Sequence, residues 1–273
     1  MKLLDLDAQL PLTCTREGVC CHGHVIWVNP WEVANLAAGQ GLSVVEFCDK
    51  AIDCRGTRLC FDGAVDRRGK ASCRLYDPQR GCTAHAHRPL TCRLYPLGRS
   101  RLEGVVQYYH TGSELPCLET CPSVSELPHQ SVEEYLLGQD ITRSEIAHDA
   151  YARVVYGLAA VARRIIDLGG PEVDIARVQV FFEQCATLSF EARASILPQL
   201  WMELATAPKG LDVGDPRAFA EAHGAMLTSA VQRAAASIDG PLTEAVILYL
   251  ALAVHLAPTV GAEFTVLRQI VLD

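Results

Sequence analysis

From Ser131 onward, apolar residues recur every three or four positions, and the pattern predicts helices. Ser131-x-x-Glu134 and Thr142-x-x-Glu145 have the form of capping boxes. The second is expected to open a long helix with Ile146, Val154, Val155, Leu158, Val161, Ala162, Ile165 and Leu168 inward, stopped by Gly169-Gly170-Pro171. Further helices fit about 172–187, 190–206, 215–237, 241–257 and 262–271. Asp215-Pro216 supplies an N-cap with proline behind it, and Pro198 is expected to break its helix.

Before Ser131 the pattern is short and mixed. Residues 3–12 alternate loosely, like an edge strand, and His22 to Val28 reads as a strand. Asn29-Pro30-Trp31-Glu32 starts a helix that runs to about Ala38, and Ser43-x-x-Glu46 starts a shorter one through about Ile52. Turns at Asp62-Gly63, Arg68-Gly69 and Asp77-Pro78 mark loops and hairpins over 54–82, and residues 104–109 read as a strand. Pro122 to His129 is the expected linker. The predicted fold is α+β, predominantly α. A small cysteine-rich module with short strands and helices (1–128) precedes an all-α helical domain (129–273).

Composition narrows the function classes. The chain has 273 residues, 49% of them hydrophobic, enough to bury a core without cross-links. The most apolar segment, Ala245 to Ala257, is shorter than the ~20 residues of a membrane span and contains His255. The start, MKLLDLDAQLPL, carries two acids and no continuous apolar run, unlike a secretory signal. A net charge of −8 argues against general binding to nucleic acid or to anionic membrane. The expectation is a cytoplasmic protein with an unidentified protein partner or substrate, no nucleic acid and no membrane.

Cysteines change the picture most. Eleven of the 12 lie in residues 1–121, leaving Cys185 alone in the remainder. In a reduced compartment, clustered thiols point to metal or redox chemistry rather than to disulfides. Charge divides similarly: residues 1–121 hold 14 Lys/Arg against 13 Asp/Glu, the remainder 10 against 19. A near-neutral, Arg-rich front end suits a thiolate site, whose negative charge nearby arginines offset.

Three stretches gather the thiols. Cys14-x5-Cys20-Cys21 surrounds a turn glycine, Gly18, and short spacings let one loop supply several ligands. Cys73-x8-Cys82-x9-Cys92 suits sulfurs brought together by a hairpin and a following turn, with Pro89 opening a short helix that carries Cys92. Cys117-x3-Cys121 places two sulfurs one helical turn apart. The candidate metal ligands are thus Cys14, Cys20, Cys21, Cys73, Cys82, Cys92, Cys117 and Cys121, enough for two four-ligand sites or for one site with spares. Cys48 and Cys185 sit on apolar helical faces and read as core, as does His255. His85 and His87 read as surface or supporting residues. Arg74, Arg80, Arg88, Arg93, Arg99 and Arg101 read as charge compensation and solvated surface, and Trp27 and Trp31 as packing aromatics. Walker A, Rossmann, H-E-x-x-H and G-x-S-x-G signatures are all absent.

These stretches resemble the YkgJ-type CxxCxxCC cysteine-cluster family of zinc- or iron-chelating domains. The resemblance rests on Cys14 through GVCCHGHVIWVNPWEVANLA, on CRLYDPQRGCTAHAHRPLTCRLYP from Cys73 to Pro96, and on CPSVSELPHQSVEEYL from Cys121. Arg88-Pro89-x-x-Cys92-Arg93-x-x-Pro96 is its most specific piece. Glu17 stands where the family has its second cysteine and His85 where it usually has tyrosine, so either is a substitute ligand. The resemblance implies metal binding and covers about residues 10–137. Cys92-Arg93-Leu94-Tyr95-Pro96 is also similar, over a shorter stretch, to flagellin lysine N-methylases. Three readings follow: an iron–sulfur or zinc centre held by clustered thiolates, with iron–sulfur slightly favoured by spacings that lack zinc-finger regularity; an iron–sulfur-dependent protein-modifying enzyme; and a zinc-folded interaction module without catalysis.

Overall fold

A hydrogen bond from the Trp31 indole Nε1 to the carbonyl of Val213, 3.0 Å long, joins residues 182 positions apart. This contact belongs to a computed structural model that describes residues 2–12, 18–53, 56–102, 104–110, 127–193, 196–236 and 241–273. Helix makes up 58% and strand 12%, so the predominantly α, α+β class holds. The chain forms two compact units, Met1–Ile26 with Leu59–Glu145, and Trp27–Arg58 with Ile146–Asp273. Residues 27–58 pack with the helical unit, and residues 127–145 with the cysteine-rich one.

In the first unit, Lys2–Leu4, Val105–His110 and Gly98–Leu102 form an antiparallel sheet with Val105–His110 in the middle. Gly98 faces the Tyr109 ring so closely that a Cβ there would lie 2.4 Å from it. Gln9–Leu10 pairs with Gln130–Ser131, which leads into the helix Val132–Gly138 through the expected Ser131–Glu134 capping box. Leu12, Leu90, Leu94, Leu97, Val132, Tyr135, Leu136 and Ile141 form the core of this unit.

The second unit is helical. The capping boxes at Asn29–Glu32 and Ser43–Glu46 form as predicted and open Pro30–Gly39 and Val44–Ala51. Asp215 caps Pro216–Ala235, and the 190–206 region splits into Phe190–Arg193 and Gln199–Thr206 with Pro198 at the second N-cap. Trp31, Tyr151, Phe182, Leu197, Leu227 and Tyr249 are fully buried in one core, with Cys185 and His255 inside as expected. Leu242–Val260 reaches further than the apolar stretch seen in the sequence. Its 19 residues have a mean hydropathy of 1.6, long and apolar enough to cross a membrane, and 83% of the window is buried within the protein. Being apolar all round is what a helix enclosed by other helices requires.

Three local expectations need correction, and one strand goes beyond them. Residues 22–28 make isolated bridges, His22 to Ser72 and Trp27 to Arg58, instead of a strand, because the pairing partner changes within the run. The strand Gly98–Leu102 is invisible in its polar sequence and exists through its partner strand. Thr142 is the first helical residue of Thr142–Gly169 rather than its cap, and the Glu145 carboxylate accepts from Arg99 Nε and Tyr108 O–H, each at 2.8 Å. Cys48 lies half-buried beside the fully buried Phe47 rather than within the core.

His223 lies in the second core. Its Nε2–H donates to the Leu204 carbonyl at 2.8 Å, so Nδ1 accepts the Tyr151 hydroxyl proton, also at 2.8 Å. Burial holds its pKa down at about 4, against 6.5 ordinarily. A histidine whose folded pKa is depressed contributes stability above its unfolded pKa and loses it as pH falls toward the folded one. Between pH 6.5 and 4 the helical unit is expected to lose about 3 kcal/mol from this group. Urea unfolding across that window checks this: His223→Gln should flatten the slope, and parallel losses in both proteins would contradict it.

Candidate metal centre

The site starts at a tight turn. Gly18 adopts φ +75°, and a Cβ there would lie 2.5 Å from the Tyr76 ring, so the position requires glycine on both counts. The Gly18 carbonyl accepts from Cys21 N–H at 2.8 Å and from His22 Nδ1 at 2.8 Å, and the His22 ring sits edge-on to Tyr76. This turn, Val19–Cys21, leaves Cys20 Sγ and Cys21 Sγ 3.9 Å apart.

Main-chain pairing brings the next thiol alongside. Cys73 N–H donates to the Cys21 carbonyl at 2.7 Å and Gly23 N–H to the Ala71 carbonyl at 2.9 Å, flanking the His22–Ser72 bridge. Cys21 and Cys73 are therefore paired through the main chain across this bridge. On the other edge of the same segment, Arg74 N–H donates to the Cys60 carbonyl at 3.0 Å. Beyond it, the hairpin Tyr76–Asp77/Gly81–Cys82 sets Cys82 opposite Tyr76. Asp77 closes its turn by accepting from Gln79 N–H and Arg80 N–H, both at 2.8 Å. The backbone N–H groups of Leu75 and Ala84 favour the thiolate at Cys73 and at Cys82 respectively. Cys92 rides on the helix Leu90–Leu94, with Pro89 at its N-cap.

Electrostatics tie these five sulfurs together. A hydrogen bond from Cys21, helped by the Arg88 guanidinium, brings Cys20 down to about 7, and the same bond keeps the proton on Cys21. Burial pushes Cys73 up to about 11 and raises Cys82 and Cys92; Cys92 also feels charge on Cys73, Cys82 and Cys20. Arg88 favours the thiolate at Cys20, Cys82 and Cys92. Unaided, such a cluster resists multiple ionisation. A bound cation would discharge the remaining protons, which is how thiolate sites couple metal uptake to proton release. The donor set is soft, partly desolvated and backed by N–H donors, and it suits a thiophilic metal. Among the described residues, no three His, Cys, Asp or Glu side chains already stand close enough together to hold an ion.

Of the eight predicted ligands, Cys20, Cys21, Cys73, Cys82 and Cys92 are linked by these charge interactions without standing close enough together to hold an ion. Cys14, Cys117 and Cys121 lie outside the described residues, as does Glu17. His85 is exposed on the short turn His85–His87. Cys60, which is not among the predicted ligands, lies within electrostatic reach of Cys73. The arginines have separate tasks: Arg74 pairs with Asp62, Arg99 with Glu145, and Arg88 acts on several of the sulfurs. No local signal distinguished Arg88 from its neighbours.

Residues 13–114 match the CxxCxxCC family model, described as "Putative zinc- or iron-chelating domain". Comparisons with curated proteins and with solved structures give no match.

Proposed function

We propose that the first unit, in which residues 13–114 match the model of a zinc- or iron-chelating domain, grips its metal through the sulfurs of Cys20, Cys21, Cys73, Cys82 and Cys92. Cys14, Cys117 and Cys121 are the further candidates. The observation that carries this reading is the pairing of Cys21 with Cys73 across one main-chain ladder, with Cys82 and Cys92 within electrostatic reach of both. We favour an iron–sulfur centre over zinc, since five, eight and nine residues separate the thiols where zinc sites favour two to four. Bound, such a centre would supply one-electron chemistry. The chain's own part is to favour thiolates at Cys73 and Cys82 with the Leu75 and Ala84 N–H groups, and to offset negative charge with Arg88. All eight described cysteines are free thiols, and we place the protein in the cytoplasm, where thiols stay reduced.

Anaerobic purification followed by iron, zinc and acid-labile sulfide analysis and a visible spectrum tests this reading. Iron with matching sulfide and broad brown absorption is the expected result. Stoichiometric zinc in a colourless protein would replace iron–sulfur by zinc, and neither metal would end the proposal.

A further inference from the structure

Arg93 follows Cys92 on the short helix and is buried, with 7% of its surface exposed. A guanidinium is costly to bury unless its donors are used. Arg93 Nε donates to the Arg88 carbonyl at 2.8 Å, Nη1 to the Gln139 carbonyl at 2.7 Å and Nη2 to the Ala86 carbonyl. Gln139 caps the helix Val132–Gly138, and its Oε1 accepts from Arg88 Nη2 at 2.9 Å. From the same helix, the Tyr135 hydroxyl donates to the carbonyls of Arg93 and Tyr95. The segment from Ala86 to Tyr95 is thus tied on one side by a rigid fork and on the other by two residues that lie beyond the matched domain.

We infer that Arg93, Tyr135 and Gln139 form a positioning clamp that fixes where Cys92 and the Arg88 guanidinium stand relative to the other sulfurs. The inference rests on the metal-binding reading above and extends it past residue 114. Arg93 acts through geometry: three carbonyls at different angles need a planar fork, which lysine does not provide. Groups that orient a metal ligand without touching the metal typically change affinity 10–100-fold.

The test uses the full chain reduced, stripped of metal and titrated with Co(II), whose thiolate charge-transfer bands report how many sulfurs bind. Affinity is read by competition with a chelator. Arg93→Gln and Arg93→Lys should both weaken Co(II) binding about 10–100-fold and reduce the charge-transfer intensity, with helix content kept. Arg101→Gln serves as the control and should change nothing. If Arg93→Lys restores the wild-type spectrum, charge suffices and the clamp is refuted. If Arg93→Gln fails to fold, Tyr135→Phe decides: weaker binding with altered bands supports the clamp, and wild-type binding overturns it. A wild-type protein that takes up no metal would refute the metal-binding reading itself, whereas wild-type binding with unaltered Arg93 variants refutes the clamp alone.

Discussion

Replacement of Cys92 by serine is expected to strip the protein of stoichiometric metal, while Cys48→Ser leaves metal content unchanged. Cys92 sits where three other sulfurs, those of Cys73, Cys82 and Cys20, bear on its charge, and burial raises its pKa well above 9. Serine keeps the shape nearly constant but removes a soft ligand, and its hydroxyl does not ionise in this range. A group that only supports a ligand changes affinity 10–100-fold, so losing a ligand is expected to exceed about a hundredfold. Cys48 is half-buried in the other unit, so it controls for the general effect of removing a thiol. Metal-to-protein ratios after gel filtration read the difference. Equal ratios in wild type and Cys92→Ser would remove Cys92 from the ligand set.

Trp31→Ala is the substitution expected to destabilise the helical unit most. The indole is 1% exposed and belongs to the core built from Tyr151, Phe182, Leu197 and Tyr249. Truncating so large a buried side chain costs about 3–5 kcal/mol, and the Val213 carbonyl loses its partner, worth about 1 kcal/mol more. Trp31→Phe keeps most of the packing and separates the two contributions. Urea unfolding followed by circular dichroism at 222 nm, where the helices dominate, measures both. A loss below about 1 kcal/mol for Trp31→Ala would show that the core closes without it.

Much of the architecture was legible because its signals are local. Asn29 accepts from Glu32 N–H and Glu32 accepts from Asn29 N–H, both at 3.0 Å, and four consecutive residues suffice to predict such a start. Asp215-Pro216 and Pro198 act within one turn in the same way. Pairing is a different problem. Nothing within a few residues of Cys21 indicates that Cys73 will stand across from it, since 52 positions separate them and the register is set by the His22–Ser72 bridge. The strand Gly98–Leu102 has the same cause. Spacing predicts that the thiols meet, because convergence accounts for so many cysteines in one half of the chain.

The supporting residues were the least legible. Arg93 reads in the sequence as one of six surface arginines, yet it is buried against carbonyls contributed by residues 86, 88 and 139. Carbonyl acceptors leave no trace in side-chain identity. A buried arginine that uses backbone acceptors is therefore invisible until the chain is folded, whereas one that pairs with a carboxylate, as Arg99 does with Glu145, has at least a partner of opposite sign to suggest it.

X-ray absorption at the metal edge of the anaerobically purified protein tests the central claim most directly. The account predicts a first shell made of sulfur at about 2.3 Å. A first shell dominated by nitrogen or oxygen would contradict it.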